Sequence, residues 1–236
     1  MKSVEKSLTP PDICLFGGTG LVGNETLTQL TQTFPELKIL SVSRRSVNQE
    51  SDRLEECIIQ DFATNLEKSM SPLSSSTTII WALGSTIKQA GSRENFRDID
   101  YKLTIQAAKI AKKQGVRKFI LVSAAGASPH SKFFYNRVKG DLEQELIELG
   151  FNSLAVLRPS LILGSRSESR PGETLGKIFL EPIRHLFTGP LSGLRPVHFT
   201  EIAKAIVTLV HNQKSGTYFI NSKEIRDIAM SGKIRF

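Results

Sequence analysis

A chain of 236 residues with 39% hydrophobic and 23% charged residues can bury a sizeable core and reads as one globular domain, which excludes a disordered or fibrous chain. No apolar run approaches the roughly 20 residues of a membrane-spanning helix. The net charge of +8 and pI near 9.6 permit contact with nucleic acid, but the basic residues are scattered and not interleaved with aromatics, so no nucleic-acid partner is expected.

Residues 1–11 read as a polar lead-in without the apolar core of a secretory signal or the arginines of a transit peptide. The two cysteines, Cys14 and Cys57, fall in expected buried strands and form no metal or disulfide pattern. Both observations suit a reducing compartment, and a cytoplasmic location is expected. No metal site is expected either, because no ligand constellation stands out.

The first element is a strand, Ile13 to Phe16, followed by a glycine turn and an amphipathic helix whose buried face carries Val22, Thr26, Leu30 and Phe34. Gly17, Gly20 and Gly23 occupy the turn and the first helical residues. Glycines there allow a tight turn and let backbone N–H groups at a helix N-terminus meet a pyrophosphate. The spacing is G-x-x-G-x-x-G, and its strand-to-helix setting makes it a candidate dinucleotide loop. The next strand, 38–42, ends in Ser43-Arg44-Arg45. The acidic residue that would meet a ribose 2′-hydroxyl is missing, and two arginines stand there. Paired hydrogen bonds from arginine suit a 2′-phosphate, so NADP(H) is expected over NAD; the bland alternative is an exposed basic turn.

A third strand over 57–60 leads to Asp61, which either contacts an adenine or caps the following helix. A fourth strand over 77–84, apolar from Ile79 to Leu83, ends at Gly84, where a small residue would let a cofactor lie against the backbone. One helix is expected over 94–114, with Phe96, Ile99, Leu103, Ala107 and Ile110 on a single stripe.

The most informative stretch runs from Lys118 to Gly140. A buried strand, Phe119 to Val122, ends at Ser123, and a helix over 132–149 carries Tyr135 and Lys139 one turn apart on one face. A cation beside a phenol favours the phenolate and lowers its pKa, so Tyr135 can exchange a proton with a carbonyl or alcohol while Ser123 orients the same oxygen. Taken alone, the spacing Y-x-x-x-K is loose enough to arise by chance. The same helix is expected to bury Val138, Leu142, Leu146 and Leu149.

A sixth strand, 153–159, exits at Pro159. From 160 to 199 the rhythm loosens into an irregular substrate-side insertion, with a short helix over 176–187; the segment reads either as a mobile flap over the nicotinamide end or as a fixed surface excursion. A helix from Thr200 to Val210 capped by Thr200, a small strand over 217–222 and a short frayed tail complete the chain. The alternation of strand and helix shows no linker or repeat. It predicts a single α/β domain spanning 1–236: a doubly wound parallel sheet, or Rossmann fold, with a small C-terminal substrate-side lobe and a crevice at the strand C-termini.

Four stretches, GGTGLVG, IDYKLTIQAAKIAKKQGVRKFILVSA, YNRVK and LRPSLILG, resemble the atypical branch of the short-chain dehydrogenase/reductase superfamily. ALGSTIKQAG, KFFYNRVKGDLE and SRSESRPGE resemble more narrowly the Tat-interacting-protein type of oxidoreductase. The resemblance implies Ser123 as substrate-orienting hydroxyl, Tyr135 as acid/base, and Lys139 as the group that holds the nicotinamide ribose and tunes Tyr135. It implies cofactor contacts at Gly17, Thr19, Gly20, Leu21, Val22, Gly23, Arg44, Arg45, Asp61, Leu83, Gly84, Tyr135, Lys139, Arg158 and Pro159. One departure is Asp100, which stands where many dehydrogenases carry an asparagine that holds a relay water.

Two functions compete. The first is an NADP(H)-dependent oxidoreductase acting on a small carbonyl or alcohol substrate; the second is an NADPH-binding sensor that controls a partner protein. Retention of Ser123, Tyr135 and Lys139 together favours the enzyme.

Overall fold

The computed structural model describes residues 9–164 and 195–234. The expected helix over 176–187 and, of the expected flap, residues 165–194 lie outside the described residues.

Seven strands form one parallel sheet. They are β1 (Ile13–Phe16), β2 (Ile39–Ser43), β3 (Leu54–Ile58), β4 (Thr78–Trp81), β5 (Lys118–Val122), β6 (Ser153–Arg158) and, after an excursion, β9 (Gly216–Asn221), in the order β3-β2-β1-β4-β5-β6-β9. The chain starts at a central strand, winds outward to β3, then crosses back past β1 and winds the other way. That reversal opens a crevice between the C-terminal ends of β1 and β4. Two further strands, β7 (Ile162–Leu163) and β8 (Val197–His198), pair in parallel as a small separate sheet within the expected insertion.

Central strands are apolar on both faces because helices cover both. All four residues of β1 and of β4 are buried, whereas edge strand β3 holds only partly buried and exposed residues. Cys57, expected in a buried strand, is therefore only half-buried, while Cys14 in β1 is fully buried.

Successive strand residues point to opposite faces. Cys14, Phe16, Ile79, Trp81, Phe119 and Val156 pack on one side with α2 (Phe62–Ser69), α5 (Leu103–Lys113) and α6 (Phe134–Glu148). Ile13, Leu15, Ile39, Ile80, Ile120 and Leu157 pack on the other with α1 (Leu21–Thr33), α7 (Phe199–His211) and α8 (Ser222–Ser231).

Three expectations are corrected. The helix expected over 94–114 follows the short α3 (Ile87–Ala90) and is α4 (Arg93–Arg97), a π-helical turn (Asp98–Lys102) and α5. The wider i→i+5 turn inserts an extra residue and rotates the buried face, so Ile99 is only partly buried while Asp100 is sunk at 1% exposure. The cap of α7 is His198, one residue before the helix, and not Thr200. The frayed tail is α8, fastened by a capping box in which Asn221 accepts from the N–H groups of Lys223 and Glu224 while Glu224 accepts from Asn221 N–H. Its Ile225 and Ile228 join the second core. Smaller differences are that β3 begins earlier than expected, β4 ends at Trp81, and Leu149 is half-buried.

Candidate active site

The parallel register brings the loops after β1, β2, β3, β4, β5 and β6 to one edge. Ala82 N–H donates to Phe16 O (2.9 Å), Ile59 N–H to Ser43 O (2.8 Å) and Ser123 N–H to Leu157 O (2.8 Å), so adjacent strands leave the sheet side by side.

At β1 the site is built from backbone. Gly17 takes φ +90°, and a Cβ there would meet the backbone of Ala82 and Leu83 at 2.6 Å, so only glycine lets this turn lie against the end of β4. A Cβ on Gly23 would sit 2.2 Å from Gly17 O. Gly20, which a Cβ would crowd less, caps α1 without a side-chain bond, and the first turn holds no acidic residue. The N–H groups of a first helical turn have no intrahelical acceptor. No carboxylate competes for them, and Thr19, Leu21 and Val22 flank them, a setting that fits a pyrophosphate. Arg44 and Arg45 are exposed directly after β2. Asp61 precedes α2; its side chain accepts from Thr64 Oγ1 (2.9 Å) and its backbone O from Asn65 N–H (3.2 Å), which ties it to the first turn of the helix. Leu83 and Gly84 follow β4, with Gly84 exposed.

At α6 the site is built from side chains. Tyr135 and Lys139 share one face, and Lys139 Nζ forms an ion pair with Asp100 Oδ1 at 2.7 Å, with side-chain exposures of 5% and 0%. Asp100 Oδ2 accepts from Ser85 N–H (2.9 Å) and Ser85 Oγ (3.0 Å), tying the loop after β4 to the π turn. A Cβ on Gly84 would stand 3.3 Å from Asp100 Oδ1. The Tyr135 ring lies 5.3 Å from that of Phe96.

Burial alone would lower the Lys139 pKa, but Asp100, Tyr135 and Glu143 hold the ammonium above its ordinary value. Tyr135 departs from expectation. Burial raises its pKa, Lys139 pulls it down and Asp100 pushes it up again, so the phenol is held above and not below its usual value.

Ser123 is buried, and its hydroxyl donates to Glu143 Oε1. Arg158 grips the same carboxylate: Nε donates to Oε1 (3.2 Å) and Oε2 (3.1 Å), and Nη2 also reaches Oε2. The guanidinium stacks 4.2 Å from the Phe219 ring centre on β9. Ser123 and Arg158, expected at the substrate and the cofactor, are joined to each other through Glu143. Pro159 O accepts from Ala125 N–H (2.8 Å), which fixes the loop beyond Ser123.

Three contributors were missed. Glu143 follows Lys139 at i+4 on the buried face of α6, a polar interruption that the spacing could have shown. Gly140 lies mid-helix; a Cβ there would stand 2.1 Å from Ser128 C, so the helix backbone rests on the loop after β5. An isolated glycine inside a helical pattern is a usable sign of such packing. Ser85 carried no sequence signal. His130 is exposed, and His198 pairs through Nδ1 with Thr200 Oγ1 (2.8 Å) at the start of α7, so neither joins the site. Among the described residues no group of His, Cys, Asp and Glu could hold a metal ion, and no helix is long and apolar enough to cross a membrane.

Comparison with known proteins adds the following. The HIM1 family model matches residues 45–181. The protein fmp52, mitochondrial, of Emericella nidulans is 38% identical over 71% of this chain and 74% of its own length. Its namesake in Aspergillus niger is 32% identical over 94% of this chain and 98% of its own length. Among solved structures, MoeE5 in complex with UDP-glucose and NAD superposes with a TM-score of 0.66 at 14% identity, covering 94% of this chain and 82% of that one. The Bordetella bronchiseptica enzyme WbmH in complex with NAD+ gives 0.65 at 17% identity, covering 93% and 79%. These structures share the Rossmann fold.

The cytoplasmic expectation is corrected by the relatives, which are named mitochondrial. An address is read by receptors from its own signal and is not fixed by core composition, so a lead-in poor in arginine does not exclude import.

Proposed function

We propose that this chain, which belongs to the HIM1 family, is an NADP(H)-dependent oxidoreductase that interconverts a carbonyl and an alcohol in mitochondria. The observation that carries the reading is the meeting, at one sheet edge, of an uncapped glycine-built helix N-terminus and a half-buried Tyr135 one turn from a buried Lys139. Gly17, Gly20 and Gly23 with the first-turn N–H groups would hold the pyrophosphate, and Arg44 and Arg45 the 2′-phosphate. A bound nicotinamide supplies or accepts the hydride. Tyr135 Oη exchanges the proton with the substrate oxygen. Lys139 fixes the phenol's surroundings and offers N–H donors to a ribose. Ser123, whose hydroxyl donates to Glu143, would accept through its oxygen from an alcohol's hydroxyl, and would orient a carbonyl by turning that proton from Glu143 to the substrate oxygen.

The occupied Ser123 hydroxyl favours a second reading, an NADPH-binding regulator with little turnover. A screen of carbonyl compounds with NADPH separates the two. Under the enzyme reading Tyr135→Phe keeps NADPH affinity and fold but loses about 10²–10⁴-fold in turnover. An unchanged rate in that variant would remove Tyr135 from the mechanism. NADPH binding by the wild type with no reduction across the screen would favour the regulator.

A further inference from the structure

Asp100 stands where its charge matters most to the site. It is fully enclosed in the π turn, and one oxygen meets Lys139 Nζ at 2.7 Å while the other is held by two donors from Ser85. An ammonium alone beside a phenol in a poorly solvated setting would favour the phenolate. An ammonium in contact with a carboxylate is a dipole, whose potential falls off faster with distance than that of a single charge. The remaining charged groups facing the pair do not restore the positive field. Glu143 lies one turn further along α6, and Arg158 reaches it from β6. Arg97, from α4, is paired with Asp141 at 2.8 Å; Arg93 of the same helix and Arg137 of α6 lie over the Phe134 ring at 5.3 and 6.0 Å, and the ring that α4 presents to Tyr135 is the uncharged Phe96.

We propose that Asp100 is a positioning residue that cancels the charge of Lys139, keeps Tyr135 a neutral phenol at physiological pH, and thereby biases the site towards delivering a proton, that is, towards reducing a carbonyl. The inference rests on the oxidoreductase reading for its chemistry. In the favoured direction the carbonyl carbon gains a hydride, with its electron pair, from a reduced nicotinamide, which is oxidised. The C=O π bond opens, and the oxygen takes the proton from Tyr135 Oη. The tyrosinate left behind recovers a proton from solvent. The direction of the Tyr135 shift, upward through burial despite Lys139, agrees with this assignment.

The test needs neither substrate nor nicotinamide. Tyrosinate absorbance is titrated in the wild type and in Tyr135→Phe, and the difference isolates Tyr135 from Tyr101 and Tyr218. The wild-type phenol should ionise above its usual value near ~10. Asp100→Asn removes the charge and keeps an acceptor oxygen on one side only, its NH2 facing either Lys139 or the Ser85 donors, and should move the Tyr135 titration down by about one unit or more. Ionisation of the wild-type phenol below its usual value, or a titration indifferent to Asp100→Asn, overturns the inference. Should that variant not fold, the neutral pair Asp100→Asn with Lys139→Gln replaces it. There Tyr135 should titrate as in the wild type, and an upward shift of a unit or more would show that Lys139 had been acting unopposed. Where a carbonyl substrate is found, the alkaline limb of the reduction rate should fall to lower pH in Asp100→Asn, because reduction requires the phenol. Absence of any turnover would count against the oxidoreductase reading, and the titration would still decide the role of Asp100.

Discussion

The two walls of the crevice are made of different materials. At the β1–α1 turn Gly17 and Gly23 leave no room for a Cβ, and the first helical turn offers backbone N–H groups without a side-chain cap. At α6 the wall is charge and hydroxyl, with four buried groups in two pairs, Asp100 with Lys139 and Ser123 with Glu143. A wall of backbone depends on shape, and its faults are steric. A wall of buried charges depends on pairing, and its faults are electrostatic. Perturbing the second should therefore cost more than perturbing the first.

The largest effect is expected from Lys139→Met, which leaves Asp100 enclosed without its counter-charge. Breaking a buried pair in this way costs about 3–5 kcal/mol. Denaturant unfolding should show that loss, and adding Asp100→Asn to the same variant should return most of it. A single variant as stable as the wild type would mean that the pair contributes nothing to folding.

A smaller loss is expected at the backbone wall. Gly23→Ala places a methyl group 2.2 Å from Gly17 O, so the turn must shift, and overpacking of this kind costs about 1–3 kcal/mol. Calorimetry should find dinucleotide affinity reduced more than stability, because the displaced atoms are those assigned to the pyrophosphate. A variant that binds NADPH as well as the wild type would take the pyrophosphate away from this turn.

The smallest effect belongs to the exposed rim. Replacing both Arg44 and Arg45 by alanine should leave the fold unchanged and weaken NADPH by at least about tenfold, with NADH hardly affected. Equal affinities for both cofactors in the wild type would remove the 2′-phosphate assignment.

How much of this could be read beforehand follows the same division. The glycine turn was legible because its requirement is local: three glycines between an apolar strand and an amphipathic helix. Tyr135 and Lys139 were legible because i,i+4 neighbours share a face on any helix. The capping box Asn221-Ser222-Lys223-Glu224 was equally local, and reading that stretch as a frayed tail overlooked it. Asp100 was identified only as a departure, because its burial depends on a π turn that no spacing rule signals. The bond from Ser123 to Glu143 joins residues twenty positions apart and exists only once α6 has packed beside β5 and β6.

By itself, then, the sequence determined the sheet, since continuous apolar runs alternating with amphipathic helices can bury themselves only as a parallel sheet covered on both faces. It also determined which edge carries the site, because glycines, Ser123 and the arginines all follow strand ends. Only the tertiary structure decided the electrostatics. Whether Lys139 presents a bare charge to Tyr135 or one already cancelled depends on a carboxylate brought from another helix to 2.7 Å, and short-range pairing at low dielectric outweighs anything the local sequence can set.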